Sequence, residues 1–323
     1  MKNNLIIDDL LMNIPILEKA AYLLQQGNLV AIPTETVYGL AANAFLDQAV
    51  AKIYSLKNRP NFNPLIIHCK DLKMAQEIGI FNDYAFKLAE VFWPGPLTIV
   101  LPLNPNAPVS KLATAGLKTV ALRIPAHPMT LKILELAGIP LAAPSANPSE
   151  SISPTSASHV EKAFKKIDGL SMIIDGGACD VGLESTIIDL SEENPILLRP
   201  GKITRENLSS FIGEFSNNTL EARHPKAPGQ LKRHYAPSIP LKMDVHEVNE
   251  RQALLAFGPS PLLSAKKTLN LSPTADLIEA AANLFTMLHE LDDSKFESIA
   301  VMPIPQQGIG IAINDRLSRA ASS

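Results

Sequence analysis

Thr34, Glu35 and Thr36 stand together in PTETVYGLAANA (33–44), directly after a short apolar run. Two hydroxyls and a carboxylate there suit a polar ligand, because open α/β sheets bind at the carboxyl ends of their strands. A plain polar strand-to-helix loop, with Gly39 making the turn, would read the same way. KNRPNFNPLIIHC (57–69) offers Lys57, Arg59 and Asn63 just before a strand that carries His68. A lysine point charge and a forked arginine so close together suit phosphate oxygens, although basic residues also favour a helix end through its dipole. His68, taken alone, reads more readily as a core histidine. Arg123 lies within the strand-like TVALRIP (119–125), and an arginine in an apolar strand needs a carboxylate, from the chain or from a ligand.

PLAAPSANPSESISPT (140–155) begins apolar and becomes a loop crowded with Ser145, Asn147, Ser149, Ser151 and Ser153. Small side chains and exposed N–H groups can wrap a polyphosphate, and a flexible serine-rich loop has the same composition. GLESTIIDL (182–190) and LLRPG (197–201) add Ser185, Thr186 and Arg199 on neighbouring strand-like segments, whereas FWPGPLTIVL (92–101) reads as an aromatic anchor and a rigid turn. No G-x-x-x-x-G-K-[ST] occurs, so a nucleotide site would not be a Walker loop, and no H-E-x-x-H suggests a metal. Residue chemistry alone reaches a hydroxyl-rich cleft lined by arginine and lysine, fit for a polyanion and a small polar molecule.

The elements that must position these groups alternate between two periods. Helical spacing predicts helices at 14–27, 47–57, 71–79, 82–92, 127–138, 156–168 and 204–213. Apolar runs predict strands at 29–33, 65–69, 97–103, 119–125, 140–144, 172–175, 185–190 and 195–200. Such interleaving points to an α/β fold with one large mixed sheet. Composition shifts at 221–240, where proline and basic residues crowd without periodicity, as in a linker. Beyond it, strands at 254–258 and 298–305 with helices at 274–291 and 309–321 predict a compact βαβα unit. The division expected is 1–215, a linker at 216–240, and 241–323.

Composition narrows the class further. The 323 residues carry a net charge of −3, which argues against a chain coated for nucleic acid. Cys69 and Cys179 are far apart and outside any C-x-x-C pattern, so neither a disulfide framework nor a structural zinc is expected. The N-terminus does not resemble a signal peptide and no apolar run is long enough to span a membrane, so the expected location is cytoplasmic.

Taken in order, PTETVYGL, KNRP…NPL..H, WPGP.T, R.P.HP, PSAN.S and STI.D resemble the YrdC-like family, and the APGQ…RHYAP linker with the tail resembles its two-domain members, the threonylcarbamoyl-AMP synthases. The resemblance implies a YrdC-like twisted mixed sheet with helices, followed by a small C-terminal Rossmann-like α/β domain. It implies joining of L-threonine, bicarbonate and ATP, the last with Mg²⁺, to give threonylcarbamoyl-AMP and pyrophosphate. The product would pass to downstream tRNA threonylcarbamoyl-transfer proteins, for modification of tRNAs reading A-starting codons, with weak RNA binding as a further trait of relatives. Carried over by position, Thr36, His68, Arg123, Ala143 and Ser185 would hold threonine. Arg59, Asn63, Thr119, Ser145, Ser153 and Arg199 would hold ATP, with Tyr235 of the linker closing over it as a lid. Lys57 is added on electrostatic grounds, as a stabiliser of the departing pyrophosphate. One departure stands out: Glu150 occupies a position that is often glycine, and a carboxylate beside a phosphate loop must point outward or bind Mg²⁺.

Overall fold

The computed structural model describes residues 13–165, 167–217, 227–228 and 233–322. The first helix, α1 (Ile14–Gln25), buries Leu17, Ala20, Ala21 and Leu24, spacing that puts one stripe against the sheet. It leads into β1 (Leu29–Ile32), whose residues are all buried. Leu29 and Ala31 join one apolar core while Val30 and Ile32 join the core on the opposite face. A strand covered on both sides is therefore a continuous apolar run.

The chain continues as β2 (Gly39–Asn43), α2 (Asp47–Lys57), β3 (Ile66–His68), α3 (Leu72–Ile78), α4 (Asp83–Phe92), β4 (Leu97–Pro102) and β5 (Thr119–Arg123). Then come α5 (Pro128–Ala137), β6 (Leu141–Ala142), α6 (Ala157–Phe164), β7 (Leu170–Ile173), β8 (Thr186–Asp189), β9 (Ile196–Arg199), α7 (Arg205–Ile212) and β10 (Ser216–Asn217). The ten strands form one mixed sheet in the order β10-β9-β8-β4-β5-β3-β6-β2-β1-β7. Helix ends are marked by side chains: Ser156 caps α6 through the His159 N–H, and Thr204 and Asn207 close a capping box on α7.

One sequence expectation is corrected here. The stretch after β1 is not a strand-to-helix loop. It is a hairpin, with β2 antiparallel to β1 and Ile32 opposite Gly39. Gly39 is the first residue of that strand, and a Cβ there would lie 3.3 Å from the Ala143 Cβ. Close approach of two backbones, not a turn, is what its lack of a side chain serves.

The remaining described residues form a second, parallel sheet from β11 (Leu241–Lys242), β12 (Ala253–Ala256), β13 (Lys267–Asn270) and β14 (Ile299–Val301), ordered β11-β14-β12-β13. Helices α8 (Leu277–Leu291) and α9 (Gly310–Ala321) complete it. The tail thus holds two strands more than the expected βαβα unit. The edge strand β13, beginning with Lys267 and nowhere fully buried, carries no apolar run to announce it.

The two sheets dock tightly. Val37, Ile152, Val181 and Leu183 of the first pack into the same apolar core as α8 and α9. Gly182 has φ +69, and a Cβ there would come within 2.5 Å of the Ala281 and Ala282 carbonyl oxygens, so glycine lets the loop lie against α8. His159 and His289 stack across the junction with centroids 4.1 Å apart. No helix among the described residues is long and apolar enough to cross a membrane.

Candidate functional site

Strand ends and the loops that follow them converge on one cleft, lined by Thr36, Arg59, His68, Arg123, Ala143, Ser145, Ser185, Arg199 and Tyr235 among others. Parallel pairing sets His68 beside Arg123 at the ends of β3 and β5. Ser185 precedes β8, and Arg199 ends the antiparallel β9. Most residues expected to touch threonine or ATP therefore meet in one place.

Arg123 is held on three sides. Its Nε donates to the Gly95 carbonyl at 3.1 Å, Nη1 to Thr36 Oγ1 at 3.0 Å, and Nη2 to Glu35 Oε1 at 2.6 Å. The carboxylate that the sequence demanded thus comes from the chain, through Glu35. The WPGP turn supplies the second support, so it contributes to the site as well as to the fold. A guanidinium has five N–H groups; two remain for a ligand carboxylate.

Arg59 and Arg199 are different. Arg59 donates to the Asn63 and Pro64 carbonyls, at 3.2 and 3.0 Å, and interacts with the Tyr54 hydroxyl. Arg199 donates to the Ser185 carbonyl and hydroxyl at 3.0 and 3.1 Å, and to the Pro228 carbonyl at 3.5 Å. Neither is ion-paired with a carboxylate among the described residues, although Glu184 acts on Arg199 electrostatically, and they are 8% and 4% exposed. Burial pushes the Arg59 guanidinium down to about 10, with Arg199 adding to the effect. Burying a cation without an anion is unfavourable by several kcal/mol. The cleft is built to receive negative charge.

Other polar atoms around it are also unsatisfied. His68 Nδ1, His234 Nδ1 and the Tyr235 hydroxyl, on residues lining the cleft, have no hydrogen-bond partner, nor does the nearby Asn63 Oδ1. Native interiors seldom tolerate such atoms without a ligand or solvent to complete them.

Lys57, Thr119, Asn63 and Ser153 lie outside the cleft lining. The Lys57 ammonium reaches the Ser145 carbonyl at 2.5 Å and also the Asn147 carbonyl. Its own carbonyl accepts from the Ser149 N–H at 2.8 Å, so α2 is stitched to the serine loop at both ends of this residue. Thr119 opens β5, four residues and about 13 Å from Arg123 along the strand. The Ser153 hydroxyl donates to Glu184, a buried carboxylate that does line the cleft.

Of the linker, 227–228 and 233–240 are described; the rest of the expected lid at 216–240, apart from the backbone of 216–217, lies outside the described residues. Tyr235 is 1% exposed, its ring 3.9 Å from that of His234 and 5.5 Å from Phe285 of α8. Next to it, Ala236 donates to the Glu150 carbonyl at 2.7 Å, fastening the linker to the serine loop. Glu150 has φ +69, the left-handed backbone that glycine adopts without strain. Its carboxylate points outward and pairs with Arg233 at 3.6 Å, with both side chains more than half exposed. The departure from glycine therefore sets no charge against the cleft.

Sequence reasoning passed over Glu184, His234 and Arg316. Arg316 left a readable signal, since it falls on the buried stripe of α9 with Ala312, Ile313, Leu317 and Ala320.

The buried histidines predict an acid response. Burial holds His68 at about 3 and His289 at about 4, and lowers His127, His159 and His234 as well. The unfolded chain, with histidines near 6.5, binds more protons below that pH, so stability present above 6.5 is lost as pH falls. Between pH 6.5 and 5, His68 and His289 account for roughly 2 kcal/mol each. Urea midpoints at pH 7 and 5 measure this; equal midpoints would contradict it.

With that geometry in place, comparison with known proteins is direct. Residues 22–201 match the family described as telomere recombination, and 203–322 match the family described as threonylcarbamoyl-AMP synthase, C-terminal domain. The chain is 39% identical to the threonylcarbamoyl-AMP synthase of Bacillus subtilis, covering 98% of this chain and 96% of that one. It is 40% identical to that of Pyrococcus abyssi, over 94% and 93%. Among solved structures it is similar to P. abyssi Sua5 complexed with L-threonine, with a TM-score of 0.87, 38% identity, and 94% of each chain covered.

Proposed function

The chain belongs to the threonylcarbamoyl-AMP synthase family, and from that premise we propose how its cleft divides the work. The activity is adenylyl transfer from ATP to give threonylcarbamoyl-AMP. The amine of L-threonine combines with bicarbonate, losing water, to form a carbamate. A carbamate oxygen then forms a bond to the α-phosphorus of ATP, and the bond to the bridging oxygen breaks to release pyrophosphate. No protein nucleophile is required. The chain contributes alignment and charge.

Arg123 presents its two remaining N–H groups to the threonine carboxylate, with Glu35 and Gly95 holding it in register. Thr36, His68 and Ser185 complete that side. The Ala143 N–H is taken by the Ile66 carbonyl, which leaves the Ala143 carbonyl for the threonine amine. His68 is neutral at working pH, so it serves as a hydrogen-bonding wall and not as a cation. Arg59 and Arg199 take the phosphates, with Asn63, Ser145, Ser153 and Thr119 around the nucleotide and Tyr235 as roof. The observation that carries this reading is the pair of buried arginines facing the same cleft as Arg123, neither ion-paired with a carboxylate among the described residues.

No group of three or more His, Cys, Asp or Glu side chains that could hold a metal occurs among the described residues. Mg²⁺ therefore enters with the nucleotide phosphates, as part of the substrate. The product passes to tRNA threonylcarbamoyl-transfer proteins of the cytoplasm, and direct RNA contact is weak for a chain of net charge −3. The test is pyrophosphate release from ATP. It is expected to require both threonine and bicarbonate, and release that is indifferent to either would defeat the reading.

A further inference from the structure

Arg316 comes from α9 of the C-terminal domain, is 0% exposed, and reaches the edge of the cleft. Its Nε donates to Glu184 Oε2 at 2.8 Å and its Nη1 to Asp315 Oδ2 at 2.7 Å, while Nη2 is buried without a partner. The guanidinium carbon lies 5.5 Å from the centre of the Tyr235 ring. Glu184 holds the Ser153 hydroxyl with its other oxygen, so one carboxylate ties the serine loop to the C-terminal domain.

This arrangement poses an electrostatic problem. Glu184 shares the cleft lining with Arg59 and Arg199, and a bare carboxylate there would repel the phosphates those arginines attract. We propose that Arg316 is a positioning residue for ATP: it neutralises Glu184 and backs the Tyr235 ring, so that the C-terminal domain keeps the cleft receptive to a polyanion. The inference rests on the reading of the cleft as an ATP site.

The charged and titratable groups that act on Glu184 are Arg316 from α9, Arg199 from β9 and Tyr235 from the linker, with Asp315 behind Arg316 and paired also with Arg319. Burial alone would raise the Glu184 pKa; Arg316, Arg199 and the Ser153 hydroxyl bring it below its ordinary value. Without Arg316 the largest of these opposing influences disappears, and Glu184 takes up a proton at higher pH. Below its new pKa the carboxyl is neutral and ceases to repel phosphate. Above it, the repulsion is exposed.

Arg316→Met is therefore expected to raise the KM for ATP roughly tenfold or more over wild type at pH 8, with a clearly smaller ratio at pH 6. The KM for threonine should stay within about twofold. Glu184→Gln combined with Arg316→Met removes both charges and should return the ATP KM to within about threefold of wild type at both pH values. A merely structural Arg316 would give a pH-independent loss, would raise both KM values together, and would not be rescued by the second substitution; any of these results overturns the proposal. Should Arg316→Met fail to fold, the double variant, which removes the buried Glu184 carboxylate together with its Arg316 counter-charge, decides: a normal ATP KM supports the proposal and a raised one refutes it. Wild-type turnover in the same assays tests the ATP reading separately.

Discussion

Arg59→Met is expected to reduce kcat/KM for ATP about 10²–10³-fold while leaving the stability of the fold close to that of wild type. The two halves follow from one observation. Arg59 is buried, faces the cleft, and is satisfied by neutral groups, the Asn63 and Pro64 carbonyls and the Tyr54 hydroxyl. The drop of its pKa from 12.5 to about 10 corresponds to roughly 3 kcal/mol of unfavourable charge burial in the ligand-free fold. Methionine removes that penalty but deprives two carbonyls of a donor, at roughly 1–3 kcal/mol each. These contributions nearly cancel. In the transition state no such cancellation exists, because the charge that develops on the departing pyrophosphate has lost one of its two unpaired arginines. Added ATP should stabilise wild type by about 2.7 kcal/mol at a hundred times its Kd and the variant by far less, which a thermal-shift titration reads directly. The KM for threonine should move less than about threefold, since Arg123 carries that carboxylate. Retention of kcat/KM for ATP within about threefold of wild type would remove Arg59 from the site.

That arginine was legible in the sequence as half of a close cationic pair with Lys57 just before a strand. Arg123 within TVALRIP is conspicuous as a charge in an apolar strand, whereas His68 within LIIHC, taken alone, reads as a core histidine and enters the site through the resemblance; both line the cleft. The strands that carry them were legible too, since burial on both faces makes an unbroken apolar run. Three kinds of feature were not. The β2 strand is GLAAN, small residues without a branched side chain, and it exists through its pairing with β1 and β6. Partner choice is likewise a tertiary matter: whether Arg123 meets Glu35 or a ligand depends on how a hairpin folds over a strand 88 residues away in sequence. Direction is the third. Spacing put Lys57 and Arg59 side by side, yet the lysine turns toward the serine loop and the arginine toward the cleft. The interdomain contact of Arg316 combines all three, being an apolar-stripe position, a distant partner and an inward-turned charge.

The direction of Lys57 leads to the second large effect, and stability is the measurement that discriminates. A lysine acting on pyrophosphate alone would be expendable to the ligand-free fold, and its replacement by methionine would lower turnover while leaving thermal stability intact. A lysine that pins the serine loop would not. Its ammonium is 2.5 Å from the Ser145 carbonyl, binds the Asn147 carbonyl as well, and lies beneath a loop that supplies Ser145 to the cleft. Lys57→Met leaves both carbonyls without that donor, at roughly 1–3 kcal/mol each, and relief of the buried charge offsets part of this, which predicts a net loss of about 2 kcal/mol. For a chain of this size that corresponds to a fall in Tm of roughly 3 °C. Turnover should fall together with stability, because an unpinned loop no longer holds Ser145 against the nucleotide, and misplacement by about 1 Å can cost 10²-fold. Burial opposes the charged form of Lys57, and Arg59 adds to that effect. The carbonyls facing the ammonium offset the penalty, so their loss and the loss of the charge cannot be separated by Lys57→Met alone. Asn147→Ala separates them in part: it keeps the lysine and both carbonyls but removes the amide that donates to the Ser151 carbonyl at 2.8 Å and whose oxygen accepts from Lys57 at 3.5 Å. If the loop is what matters, this variant should reproduce much of the loss in ATP use with Lys57 in place. If Lys57→Met keeps the wild-type Tm while turnover collapses, the ammonium acts on the substrate phosphates and the pin is wrong.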